Sequence, residues 1–256
     1  MNAANSMNPP TVSIIVATFN AEATLERCLK SIFAQTSPHW ELLVVDGGSS
    51  DRTVEIISAN VDRIAYWHSK PDAGIYDAWN QALGQARGDY VCFLGADDAL
   101  MDDGSLQVLL DAAQESQCDL ISAKGLLVDE RLRPCGVIGA PWDYRGLRRR
   151  MRICHPGAVF RRELFRTFGN FDSRYRIVAD YDWLLRLPES TTSRFVDRIV
   201  TMVGHAGVSR KQVWRRLRER RQAHARCRRI GPALSYVYWL DKLLRMPIAR
   251  LFGLQY

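Results

Sequence analysis

Four short apolar runs, each closed by a polar turn, constrain this chain more than any other feature. Thr11-Val12-Ser13-Ile14-Ile15-Val16-Ala17 is rich in β-branched residues and stops at Thr18-Phe19-Asn20. Residues 40–45 stop at Asp46-Gly47-Gly48-Ser49-Ser50-Asp51, residues 64–67 are broken by Pro71-Asp72-Ala73-Gly74, and residues 90–94 end at Gly95-Ala96-Asp97-Asp98. Between the runs the apolar spacing turns helical, with Leu25, Cys28, Leu29, Ile32 and Phe33 in the first segment, entered through Asn20 as a cap. Val54, Ile56 and Ile57 mark a second helix, and residues 75–86, stopped by Gly88, a third. Strand and helix alternating in one chain order predict an α/β protein with a mostly parallel sheet, right-handed crossovers and flanking helices.

With 256 residues and 47% hydrophobic content, the chain can bury a core as one large domain, or as one domain with a smaller appendage. No apolar run approaches the roughly 18 residues of a membrane span. Residues 1–10 read as a polar, disordered leader without the features of an export signal. Six widely spaced cysteines without a CxxC pair predict reduced thiols and a cytoplasmic protein. The net charge of +7 hides a gradient. Residues 1–130 carry 7 Lys/Arg against 19 Asp/Glu, residues 131–204 carry 15 against 7, and residues 205–256 carry 13 against 2. Two surfaces of opposite character follow, and the pattern changes near residues 130–145, through Pro134, Gly136, Gly139 and Pro141. The divisions expected are a leader (1–10), an acidic half (11–130), a second half (131–204) and a basic extension (205–256).

Ligands of open α/β sheets bind at the carboxyl ends of the strands, where Asp97 and Asp98 fall. Two adjacent carboxylates there need a cation, a donor or solvent to stay ionised, and a divalent metal shared with a phosphate is one answer. Taken alone, such a pair also caps turns in water. Asp46 in its Asp-Gly-Gly turn has the same two readings. Asp180 and Asp182, in the predicted helical stretch 175–187, fit the solvated face of an amphipathic helix equally well. His155, before Pro156-Gly157, reads as a packed or capping histidine or as a contact to a second substrate.

In their order and spacing these pieces resemble the family-2 glycosyltransferases, nucleotide-sugar enzymes of the GT-A fold. The resemblance rests on Ile14-Ile15-Val16-Ala17-Thr18-Phe19-Asn20, Val44-Val45-Asp46-Gly47-Gly48-Ser49-Ser50-Asp51, residues 88–98, and Ala179-Asp180-Tyr181-Asp182-Trp183-Leu184-Leu185-Arg186. Lys70-Pro71-Asp72-Ala73-Gly74-Ile75-Tyr76-Asp77-Ala78-Trp79-Asn80 resembles a subgroup that builds bacterial surface polysaccharides. The resemblance implies that Thr18, Asn20, Asp46, Asp72 and Asp97 bind the nucleotide. It further implies that Asp97, helped by Asp98, ligates Mg²⁺ or Mn²⁺ on the diphosphate, that Asp180 is the catalytic base of an inverting transfer, and that His155 and Asp182 lie on the acceptor side. Two positions depart from the family pattern. Gly95 stands where many members carry an acid or Asn, and Ala179 where many carry Glu.

The chemistry agrees with those roles. Breaking a sugar–phosphate bond leaves charge on the diphosphate for a cation to neutralise, and an acceptor hydroxyl needs a base to take its proton. At the rear, residues 210–229 hold ten Lys/Arg against one acid, Glu219. Beyond Gly231-Pro232, Tyr236, Val237, Trp239, Leu240, Leu243, Leu244 and Ile248 recur at roughly helical spacing up to a kink or stop at Pro247. A basic helix followed by an amphipathic aromatic one fits an anionic membrane surface and a lipid-linked glycan acceptor, and equally fits two helices packed on the core. The basic stretch also raises nucleic-acid binding as a rival function. The acidic front half and the lack of a nucleic-acid-binding motif count against it. A dehydrogenase is opposed by the lack of GxGxxG after the first strand.

Overall fold

The structure is a computed structural model and describes residues 11–204, 212–227, 229–231 and 233–240. The leader and the segment 241–256, with Leu243, Leu244, Pro247 and Ile248, lie outside the described residues.

The alternation read from the sequence builds β1 (Val12–Thr18), α1 (Leu25–Phe33), β2 (Trp40–Asp46), α2 (Thr53–Ser58), β3 (Tyr66–Ser69), α3 (Ile75–Leu83) and β4 (Tyr90–Gly95). β1 pairs in parallel with both β2 and β4, and β2 with β3. Then follow β5 (Ala99–Leu100), α4 (Ser105–Ser116), β6 (Leu120–Val128), β7 (Pro134–Ile138), α5 (Tyr144–Leu147), a 3-10 turn at His155–Gly157, β8 (Ala158–Arg161), α6 (Glu163–Phe168), α7 (Ala179–Arg186), β9 (Ser193–Gly204) and α8 (Val213–Arg226). Among the described residues the sheet order is β3-β2-β1-β4-β8-β6-β9-β5, with β7 on β6. β8 is antiparallel to both β4 and β6, and β6 is parallel to β9, so six strands share one direction and β5, β7 and β8 oppose it. One sheet therefore runs through the change of pattern at residues 130–145.

Because side chains alternate across a strand, β1 feeds two cores. Val12, Ile14 and Val16 pack in one layer with α1 and α4 through Leu25, Leu29, Ile32, Leu106 and Leu109. Ile15 and Ala17 pack in the other with α3 and α7 through Tyr76, Trp79, Trp183 and Leu184. The second layer holds a ring cluster in which Phe165 stacks on Trp183 at 4.0 Å and Trp79 on His155 at 5.4 Å. The cap expected of Asn20 is not made. Thr24 stands at the start of α1, and Asn20, at φ +46°, turns its side chain to the next strand's loop.

Candidate active site

Parallel pairing sets Thr18 beside Asp46, Asp46 beside Ser69, and Ala17 beside Gly95. The loops leaving β1, β2, β3 and β4 thus share one edge, the carboxyl edge of the sheet. The first two are laced together. Asn20 N–H donates to Ser49 Oγ at 2.7 Å, Ser50 N–H to Asn20 Oδ1 at 2.9 Å, and Ala21 N–H to Thr53 Oγ1 at 2.8 Å. Asp46 is fully buried and holds its own turn. It accepts Gly48 N–H at 3.1 Å, Ser49 N–H at 2.8 Å, Ser69 O–H at 2.6 Å and the Ser49 hydroxyl. Its carboxylate shapes the loop, while Thr18 Oγ1 is buried with no hydrogen-bond partner among the described residues. Asp72 packs on the same loop. A Cβ at Gly47 would stand 3.0 Å from Asp72 Oδ2, and Gly48, at φ +83°, takes a conformation that disfavours other residues.

The two acids after β4 separate by environment. Asp98 accepts Gly95 N–H at 2.8 Å on one oxygen and Gly204 N–H at 3.1 Å on the other, tying the turn to the end of β9. Burial, with the Asp97 charge beside it, pushes its carboxyl up to about 7. Both Asp98 oxygens are thus engaged by backbone N–H groups, which leaves Asp97 the less occupied carboxylate of the pair expected to hold a metal. The Asp97 carboxylate accepts no hydrogen bond from another described residue, and burial holds it above the ordinary carboxylate range. Arg27 reaches the same turn, donating to the Asp97 carbonyl oxygen at 2.7 Å. A Cβ at Gly95 would lie 2.8 Å from Asp97 Oδ1, so the missing side chain leaves the carboxylate its space. Among the described residues no group of three or more His, Cys, Asp or Glu side chains converges as a ligand set. One open carboxylate fits Mg²⁺ or Mn²⁺ completed by phosphate oxygens and water.

Asp180 opens α7 at this same edge. The single Tyr76 O–H lies between two acceptors, the Ile177 carbonyl oxygen at 2.8 Å and Asp180 Oδ1 at 3.0 Å, and Tyr181 N–H donates to Oδ1 at 2.8 Å. Asp180 Oδ2 accepts nothing from another described residue. Burial pushes the carboxyl up to about 6, against the pull of those donors. Tyr76 sits in the first turn of α3, just past the β3 loop, and Arg176 closes the gap by donating to the Ala73 carbonyl beside Gly74. Asp46, Asp72, Asp97 and Asp180 are thereby brought to one edge by contiguous loops.

The two residues expected on the acceptor side are both enclosed by their surroundings. Asp182, two positions from Asp180, points to the opposite side of α7 and pairs with Arg186 at 3.5 Å, only 9% exposed. His155 is buried among Trp79, Phe93, Phe160 and Phe171, with neither ring nitrogen hydrogen-bonded among the described residues, and burial lowers its pKa to about 3. It is a packed, neutral ring. Tyr76 and Arg176 had no assigned role, although Tyr76 stands inside the 70–80 stretch that carried the resemblance. At the rear, α8 and the helical residues 233–240 pack together, Ser235 Oγ donating to the Arg221 carbonyl at 2.9 Å. The two helices expose Trp214, Leu234, Tyr236, Val237 and Leu240. No helix among the described residues is long and apolar enough to cross a membrane.

The mixed sheet with its flanking helices has the GT-A fold of solved glycosyltransferases. S. aureus TarS residues 1–349 in complex with UDP-GlcNAc superposes with a TM-score of 0.68 at 19% identity, over 92% of this chain and 72% of that one. The mannosyltransferase PcManGT from Pyrobaculum calidifontis, in complex with GDP-Man and Mn²⁺, gives 0.64 at 20% identity, over 93% and 70%. The glycosyl transferase family 2 model matches residues 13–169, and a PGL/p-HBAD biosynthesis glycosyltransferase of Mycobacterium bovis is 36% identical over 184 residues, 70% of each chain. This chain belongs to glycosyl transferase family 2.

Proposed function

We propose that the protein is a metal-dependent, inverting glycosyltransferase that moves a sugar from a nucleotide-sugar donor to a hydroxyl of a lipid-linked glycan, in surface-polysaccharide assembly at the cytoplasmic face of the membrane. One observation carries this reading: Asp97 and Asp180, two carboxylates with uncommitted oxygens, stand at the same edge of the sheet. Neighbours of the same fold hold UDP-GlcNAc, or GDP-Man with Mn²⁺, which supports a donor and cation of that kind here.

In the proposed reaction the base and ribose lie against Thr18 and the loops that Asn20, Asp46 and Asp72 brace. A divalent cation at Asp97 would neutralise charge on the departing diphosphate. Asp180 Oδ2 takes the proton of the acceptor hydroxyl as that oxygen attacks the anomeric carbon. The bond to the phosphate oxygen breaks with its electron pair leaving on the diphosphate, and the configuration inverts because one displacement occurs. The exposed Trp214, Arg218 and Arg221, at helical spacing on α8, and the exposed Tyr236, Val237 and Leu240 on the helix packed against it favour an anionic lipid surface, each cation there being worth roughly 1 kcal/mol.

A thermal-shift screen of the full chain against nucleotide sugars, with and without Mn²⁺, tests the reading. Stabilisation by one donor class that requires the cation is expected. No stabilisation by any nucleotide sugar would count against it.

A further inference from the structure

Residues 210–229 contain ten cations and a single acid, and that acid points inward. Glu219, on α8, is 6% exposed. Its Oε2 accepts Ile177 N–H at 2.9 Å and Arg176 N–H at 3.2 Å, and its Oε1 lies 3.2 Å from the same Arg176 nitrogen. Arg215, one turn earlier, stands 3.8 Å away. These two backbone amides belong to the irregular segment that leads into α7, where no helical hydrogen bond would satisfy them. A buried carboxylate accepting two N–H donors is a strong, charge-assisted anchor.

The anchored peptide continues to the base. Ile177 gives its N–H to Glu219 and receives the Tyr76 O–H on its carbonyl, and the same hydroxyl lies 3.0 Å from Asp180 Oδ1. Tyr175 and Val178 on either side are buried in the core, while Ser173, Arg174 and Arg176 are exposed, so the backbone between the two buried side chains is fixed by its hydrogen bonds. Glu219 from one side and Tyr76 from the other hold the Ile177 peptide, and with it the start of α7.

We propose that Glu219 is a positioning residue for Asp180, fixing the Ile177 peptide so that Asp180 Oδ2 is held toward the acceptor hydroxyl. The inference rests on Asp180 being the base. It also gives the basic helix a part in the reaction, since the helix that carries the exposed cations carries this anchor on its inner face.

The test compares Glu219→Ala, Glu219→Gln, Tyr76→Phe and Asp180→Asn in the full chain. Turnover is read as UDP or GDP released from UDP-GlcNAc, UDP-glucose or GDP-mannose with Mn²⁺, water standing in for the acceptor, and binding is read by calorimetry with UDP and Mn²⁺. Glu219→Ala is expected to lower kcat about 10-fold with nucleotide affinity unchanged, as displacement of a reacting group does. Glu219→Gln keeps an oxygen acceptor at the two amides and is expected to recover most of that loss. Tyr76→Phe, which leaves the ring in place and removes the other hold on Ile177, is expected to fall as well, and if Glu219→Ala does not fold, Glu219→Asp, whose shorter side chain draws the carboxylate back from the two amides, decides the matter by the same loss of kcat at unchanged nucleotide affinity. In an Asp180→Asn background Glu219→Ala is expected to cost nothing further. Undiminished kcat in Glu219→Ala, an equal loss of nucleotide binding, or a full further loss in the Asp180→Asn background would overturn the proposal. Asp180→Asn turning over like the parent would instead remove the base itself.

Discussion

Replacing Asp180 with Asn should make the folded protein more stable while disabling it, and the gain should depend on pH. Burial raises this carboxyl from its ordinary 3.8 to about 6. Below pH 3.8 it is protonated in both folded and unfolded chains and contributes no difference. As pH rises from there the unfolded chain ionises first, so the stability contributed by the neutral group is lost, and the loss is complete above about pH 6. At about 1.4 kcal/mol per pKa unit the wild-type penalty is about 1.6 kcal/mol at pH 5 and about 3 kcal/mol at pH 8. Asn has nearly the same shape and no charge to desolvate. Whatever constant effect its amide adds, its advantage over Asp should grow by about 1.4 kcal/mol between those two pH values. Urea unfolding of both proteins at pH 5, 6, 7 and 8 measures it, and turnover of the Asn protein should fall by roughly 10² to 10⁴-fold. A stability difference that is flat across this range would refute the desolvated-base account of Asp180.

The remaining expectations are separable. Since Asp180 must be ionised to accept a proton, kcat/KM should fall about tenfold per unit below about pH 6, and a plateau continuing to pH 4.5 would contradict the assignment. Asp97→Ala should weaken Mn²⁺-dependent nucleotide binding by about 10- to 100-fold by calorimetry, and the same Mn²⁺ dependence in mutant and parent would remove its metal role. His155, lowered from 6.5 to about 3, costs the wild type about 2 kcal/mol as pH falls from 7 to 5, because the unfolded ring gains its proton first. His155→Leu should therefore fold at neutral pH and lose that acid sensitivity in urea titrations; a parallel pH dependence would mean the ring is not excluded from water. Vesicles with anionic lipid should bind the full chain in a salt-sensitive way and bind Trp214→Ala less tightly, whereas equal binding to neutral vesicles would deny the electrostatic part.

The first four strands and the three helices between them were legible because β1, β2 and β4, largely buried on both faces, are written as continuous apolar runs, and the polar stops as Gly and Asp clusters. β7 and β9 were not. Ser193–Gly204 mixes Arg194, Asp197 and Arg198 with apolar residues and its pairing with β6 shifts register, so no clean period of two survives. The local sequence at Asp97 and Asp98 could not say which acid is open, since that depends on Gly204, more than a hundred residues away. Asp182 and Asp180 looked alike for the same reason, and Tyr76, 104 residues before Asp180, decides between them. His155 was open to two readings until the rings around it closed. Glu219 did leave a mark, a lone acid in a basic run. A charge kept against its surroundings is explained more readily by what it touches than by the face it sits on.

Single displacement with Asp180 as base is tested most directly by the configuration of the released sugar. Proton NMR of the first turnovers on an α-linked donor such as UDP-glucose, recorded before mutarotation, should show the β-anomer at C1, and should show no product signal in the same interval with Asp180→Asn. A first product of α configuration, or equal product from the Asn protein, would contradict the account.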